Sequence, residues 1–97
     1  MDLNEYPAFF PLGRVTMSAA VLFMTTEEER RLFLRRHEAM QWSRTPLAIR
    51  ETSVIGVYSR GTVVSWHENW NVIISITTNQ PEHQTRLEVI GVPRGVL

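Results

Sequence analysis

The back half of the chain is written in a period of two. Residues 53–59, 62–67, 72–78 and 85–92 are rich in Val, Ile, Thr, Trp and Tyr, and predict strands. In the third stretch Val72, Ile74 and Ile76 share one face, and Ser75 and Thr77 the other. In the fourth, Leu87 and Val89 oppose Arg86 and Glu88. This alternation predicts a sheet with one covered and one wetter face. Arg60-Gly61 suits a tight hairpin, residues 68–71 form a second turn, and the polar, proline-bearing stretch 79–84 reads as a longer loop. Consecutive strands with short links favour a meander.

The front half follows other rules. Tyr6, Phe9 and Phe10 stand among Pro7 and Pro11, which block a helix and predict an extended arm over residues 1–12, packed on the domain. Residues 13–17 read as a short strand, with Ser18 as N-cap of a helix over Ala19–Met24. Thr26 and Glu29 have the spacing of a capping box, and Glu27 and Glu28 add acidic charge at the same end. Arg35, Arg36 and His37 suit the opposite end, and Glu27 with Arg31 makes an i,i+4 pair. The spacing predicts a helix over 27–41 that buries Leu32, Phe33 and Met40 and stops before Pro46. The expected fold is a single α+β domain, a three- to five-stranded antiparallel β-meander packed against one or two N-terminal helices. The arm occupies 1–12, a short strand and helices 13–45, and the sheet 52–92; the tail from Pro93 through Gly95 is expected to be loose.

Composition narrows the function. Ninety-seven residues fit one domain, and 43% apolar with 21% charged residues suits a packed chain. Ten acidic and ten basic residues cancel. That balance argues against a bulk electrostatic grip on nucleic acid and equally against an acidic DNA mimic, and it allows a homodimer. Cysteine is absent, which excludes disulfides, thiolate metal sites and a thiol nucleophile, and fits a reducing cytoplasm. The apolar run from Ala19 to Met24 is too short for a bilayer span, and no basic region precedes an apolar one at the N-terminus, so neither a membrane nor secretion is expected. All ten basic residues are Arg, the side chain suited to bidentate and interface contacts, although codon bias of a GC-rich genome yields the same pattern.

Two clusters invite a functional reading. Arg36, His37 and Trp42 read either as a recognition pocket or as a structural lock of the helix end. Trp66-His67-Glu68-Asn69-Trp70 is the segment expected to bind a partner, because indoles at a hairpin tip are costly to expose unless something covers them. The alternative places one Trp in the core and the other on the arm. Arg35, Arg36 and Arg60 are further partner-binding candidates, and Tyr58 belongs with the structural motif residues. Arg30, Arg31, Arg35 and Arg36 also suggest a nucleic-acid stripe, but helical spacing spreads them over more than one face and neighbouring glutamates partly neutralise them. Among His37, His67 and His83 no metal-ligand spacing occurs, no glycine-rich phosphate loop is present, and no nucleophile elbow is visible. No catalytic residue, metal or cofactor is therefore expected.

Phe10-Pro11-Leu12-Gly13-Arg14-Val15 followed by Met17-Ser18, Arg36-His37 with Trp42 five residues after the His, the stretch Val54-Ile55-Gly56-Val57-Tyr58 and the later Ile74-Ser75-Ile76-Thr77-Thr78 together resemble a known family. It comprises short, uncharacterised proteins of bacterial plasmids, integrative elements and phage, some labelled plasmid-related protein or type I restriction subunit M. The chain departs from it at Met40-Gln41, where the family has Gly-Asp, in a shorter segment after Trp42, and in an elaborated 62–71 hairpin. A methyltransferase subunit would need a cofactor-binding domain and its glycine motif, for which this chain has no room. The resemblance implies a mobile-element or phage origin. Within that origin the expected function is a non-enzymatic module binding a host protein, such as an inhibitor of a host defence complex of the CRISPR type. The competing expectation is a small nucleic-acid-binding accessory protein using the Arg-rich helix.

Overall fold

The computed structural model describes residues 7–93. The elements run β1 (Arg14–Met17), α1 (Ala19–Met24), α2 (Glu27–Glu38), α3 (Leu47–Ser59), β2 (Thr62–Glu68), β3 (Ile73–Asn79) and β4 (Gln84–Gly91). The strands form one sheet in the order β1-β4-β3-β2. The fold is α+β, with the expected antiparallel meander in β2-β3-β4. The sheet as a whole is mixed, because β1 lies parallel to β4. A short hairpin link would have forced β1 antiparallel, but three helices separate it from the meander and leave its direction free. Backbone docking sets that direction: Arg14 N donates to His83 O at 2.8 Å and Ser18 N to Leu87 O at 3.2 Å. Gly13 makes the approach feasible, since it sits at φ +66° and a Cβ there would lie 2.1 Å from His83 O.

Local signals held well in α1 and α2. Ser18 Oγ accepts from Val21 N, and both halves of the capping box form, Glu29 N to Thr26 Oγ1 at 3.1 Å and Thr26 N to Glu29 Oε1 at 2.8 Å. Helix α2 closes at Glu38, short of the expected residue 41, because Met40 turns left-handed at φ 59° and Gln41 N reaches back to Arg36 O at 2.9 Å. Phe33 is buried as expected; Leu32 and Met40 are only half-buried, and His37 takes the second fully buried position on the helix.

The stretch 53–59, expected as a strand, is the second half of helix α3, and Arg60-Gly61 is that helix's C-terminal cap, not a hairpin. Arg60 is left-handed at φ 57°, and Gly61 N donates to Gly56 O at 2.8 Å. Strand propensity in Val54, Ile55 and Val57 loses here to tertiary fit. Gly56 lets the helix lie against the start of β2, where a Cβ would come within 1.9 Å of Thr62 O. Ser53 Oγ accepts from Val64 N at 2.8 Å and donates to Val64 O at 2.7 Å. Thr45 Oγ1 makes the same double contact with Trp66, accepting from N at 2.8 Å and donating to O at 3.4 Å. Two hydroxyls thus stand in for a neighbouring strand and close the β2 edge against pairing with another chain.

The covered face of the sheet carries two apolar clusters. Val21, Phe33, Val72, Ile74, Ile76 and Leu87 form one; Phe10, Trp42 and Val63 form the other. Phe10 brings the described part of the arm onto the domain, with Phe9 N bonded to Glu38 O at 2.9 Å. Tyr6, like the tail beyond Pro93, lies outside the described residues. Among the described residues no helix is long and apolar enough to cross a membrane.

Candidate protein-binding surface

Helix α3 is amphipathic in the reverse sense. Its sheet-facing side is built from the small residues Ser53 and Gly56, helped by Val57, while Leu47, Val54, Ile55 and Tyr58 face outward. Their spacing of seven, one and three places them on one stripe of the helix. Ile55 is 67% and Tyr58 79% exposed. Glu51 stands among them, and among the described residues nothing covers this stripe.

The β2–β3 turn shows a second exposed group. Asn69 Oδ1 accepts from Asn71 N at 2.7 Å and from Val72 N at 2.8 Å, while its Nδ2 donates to Met24 O at 3.1 Å. These bonds tie the turn to the end of α1. Trp70, at the centre of the turn, is 79% exposed, and Phe23, in the last turn of α1, 87%. The turn holds the indole out on a fixed backbone, which lowers the ordering cost of any contact it makes.

The other candidates scatter. His67, expected at the exposed tip, is buried on the inner face of β2, because the strand's alternation puts Val63, Ser65 and His67 inward. Trp66 is half-buried, and Glu68 pairs with Arg44 Nε at 2.9 Å. Arg60 caps α3 at the opposite end of β2 from Trp70, roughly 23 Å away at the usual rise of a strand, so the two do not share a surface. The helix arginines form no common stripe: Arg31 pairs with Glu27, Arg35 with Glu38, Arg30 bonds Thr25 O, and Arg36 turns to a different cleft. Trp42 is buried and donates from Nε1 to His37 O at 3.0 Å, locking the end of α2.

His37 and His67 belong to a buried chain of polar contacts between the two apolar clusters. Its polarity follows from counting protons. Thr85 Oγ1 must donate to the Leu12 carbonyl, at 2.6 Å, so it accepts from Thr78 Oγ1, at 2.7 Å. Thr78 has then spent its proton, so His37 Nε2–H donates to it, at 2.8 Å. Burial, and secondarily the neighbouring His67, pushes the His37 pKa down to about 3, so the ring is neutral and Nδ1 accepts from Ser65 Oγ at 2.5 Å. His67 Nε2–H therefore donates to Ser65, at 2.7 Å. Burial, with the Arg36 charge second, holds His67 down to about 4. Ser65 lies next to a histidine base, as a nucleophile would, but it is fully buried and its hydroxyl already donates to one His and accepts from the other. That leaves it no role in attacking a substrate.

A polar cleft of about 420 Å³ opens at the end of β2, lined by Arg36, Gln41, Ser43, Arg44, Trp66, His67 and Glu68. Among the described residues no three His, Asp or Glu side chains converge as a metal site. The α3 stripe, the polar chain and Arg44 all escaped the sequence reading; the one available signal was the helical spacing that Val54, Ile55 and Tyr58, inside a stretch that looked like a strand, keep with Leu47 before it. Compared with protein-family models, curated proteins and solved structures, the chain matches none.

Proposed function

We propose that this protein is a non-enzymatic protein-binding module of a phage or mobile genetic element, acting in the bacterial cytoplasm by occupying a surface of a host protein, with host defence complexes as the target class. The observation that carries the reading is the reversal in α3: large apolar side chains face outward while serine and glycine face the sheet. Such a stripe is the kind of face that a partner's groove covers, anchored at successive helical turns. The rigid presentation of Trp70 supports the same reading, since Trp is enriched where binding energy concentrates. The origin and the target class rest on the sequence resemblance alone. Distribution of the helix arginines over separate contacts, with net charge zero, weighs against the nucleic-acid alternative.

The test is affinity capture from bacterial lysate with the wild-type chain and with the double variant Ile55→Ser/Tyr58→Ser. A stoichiometric partner held by the wild type and lost from an equally well folded variant supports the reading. Capture of nothing, or equal capture by both, defeats it.

A further inference from the structure

We propose that the cleft at the end of β2 is a carboxylate-binding site, and that its occupant is an acidic side chain of the bound protein. This rests on the binding-module reading and names a chemical feature of the partner.

The cleft has a defined charge. Arg36 and Arg44 contribute two guanidinium groups and Glu68 one carboxylate, so one positive charge remains in excess. His67, buried beside Arg36, is neutral near pH 7 and adds none. Arg36 makes no ion pair among the described residues. Arg44 meets Glu68 at Nε, 2.9 Å from Oε1, and its terminal nitrogens carry four further N–H donors. The nearby end of α2 does not compete for an anion's place with free carbonyls. The Arg36 carbonyl already accepts from Gln41 N, and the His37 carbonyl from Met40 N and Trp42 Nε1. Trp66 forms a half-buried wall on one side of the cleft. A single excess charge matches a monoanion, and Glu68 repels a second negative charge. The fit is therefore to a carboxylate and not to a phosphate dianion. Guanidinium and carboxylate also match as forks.

Chemical-shift titration of the full chain reads the site directly, through the Arg36 and Arg44 Nε–H and Trp66 indole signals. The probes are sodium acetate, inorganic phosphate at matched ionic strength, and two capped tripeptides, Ala-Glu-Ala and Ala-Gln-Ala. Saturable shifts at the cleft with acetate and the Glu peptide, but not with the Gln peptide, are expected. Arg36→Gln weakens them about tenfold, the effect of losing one charge-assisted contact. Arg44→Gln removes a guanidinium that is 70% exposed, and so provides a second variant that leaves the fold alone while weakening the same signals. Shifts that never saturate, or that both variants leave unchanged, overturn the site. Phosphate binding tighter than acetate overturns the carboxylate assignment. Acetate binding without Glu-peptide binding turns the cleft into a site for a free small acid and overturns the partner's role. None of these arms uses the partner, so failure here is separable from failure of the lysate capture.

Discussion

The buried polar lane beneath α2 and the outward stripe of α3 are built the wrong way round for a minimal globular domain. Inside lie two imidazoles and three hydroxyls; outside lie Leu47, Val54, Ile55 and Tyr58. The two reversals differ in how they are resolved. The three hydroxyls and both ring nitrogens of His37 have partners within the chain, and the donors and acceptors run one way from His67 Nε2 to the Leu12 carbonyl. The apolar stripe has no partner within the described chain. Polar burial therefore belongs to the fold, where it fixes how α2 sits over β2, β3 and β4, while apolar exposure is left over for something else. Breaking the first should cost stability, and breaking the second should not.

His37→Ala is the most severe test. It empties a fully buried site, removes the acceptor for Ser65 and the donor to Thr78, and leaves a cavity between the apolar clusters. Unsatisfied burial and cavity formation together predict a loss of about 3–5 kcal/mol by urea unfolding. A loss under about 1 kcal/mol would mean that the lane is not a structural element.

Acid should reach the same lane without mutation. Both histidines have folded-state values below the ordinary 6.5, about 3 for His37 and about 4 for His67. The unfolded chain therefore takes up protons first. The stability held by the neutral rings is complete above pH 6.5 and falls as pH drops from there toward the folded values. Each ring contributes a slope of about 1.4 kcal/mol per pH unit inside that window. Between pH 7.5 and 5.5 the fold should lose about 2–3 kcal/mol. Protonation also puts a second donor on His37 Nδ1, facing the Ser65 proton, so the lane must reverse or open. Glu38, raised by burial against the opposing pull of Arg35, works in the other direction and gains at lower pH. Flat stability across pH 5.5–7.5 in thermal melts would contradict the neutral-ring assignment.

The legible parts of this fold are those whose cause is local. The Thr26–Glu29 box, the Ser18 cap and the alternation in β3 each depend on residues within a turn or a strand pitch. Parallel pairing of β1 was hidden because its register depends on His83 and Leu87, far along the chain. Helix α3 was hidden because Val54, Ile55 and Val57 favour a strand on their own, and only the close approach allowed by Gly56 and the Ser53 contacts at Val64 repays a helix. The role of His37 was hidden for a similar reason. Its position near a helix end suggested a cap, yet its ring partners lie 28 and 41 residues away. Trp70 was legible as a candidate because a second indole at a turn has few places to go; Tyr58, read as part of a strand, was not.

The β2–β3 turn sets the tied and the bare side by side in adjacent residues. Asn69→Ala removes three hydrogen bonds that hold the turn and join it to Met24. At a partly exposed site, where water replaces much of what is lost, about 1 kcal/mol of destabilisation is expected. Trp70→Ala removes a larger side chain that rests mostly in water, and it should change stability by no more than about 0.5 kcal/mol. If the indole is an anchor, the same variant loses the captured partner although its melting curve is unchanged, and Asn69→Ala weakens capture less, because a loosened turn still presents the ring. The reverse order, with Trp70→Ala the more destabilising and capture intact, would place the indole with the core and leave α3 as the sole outward face of consequence.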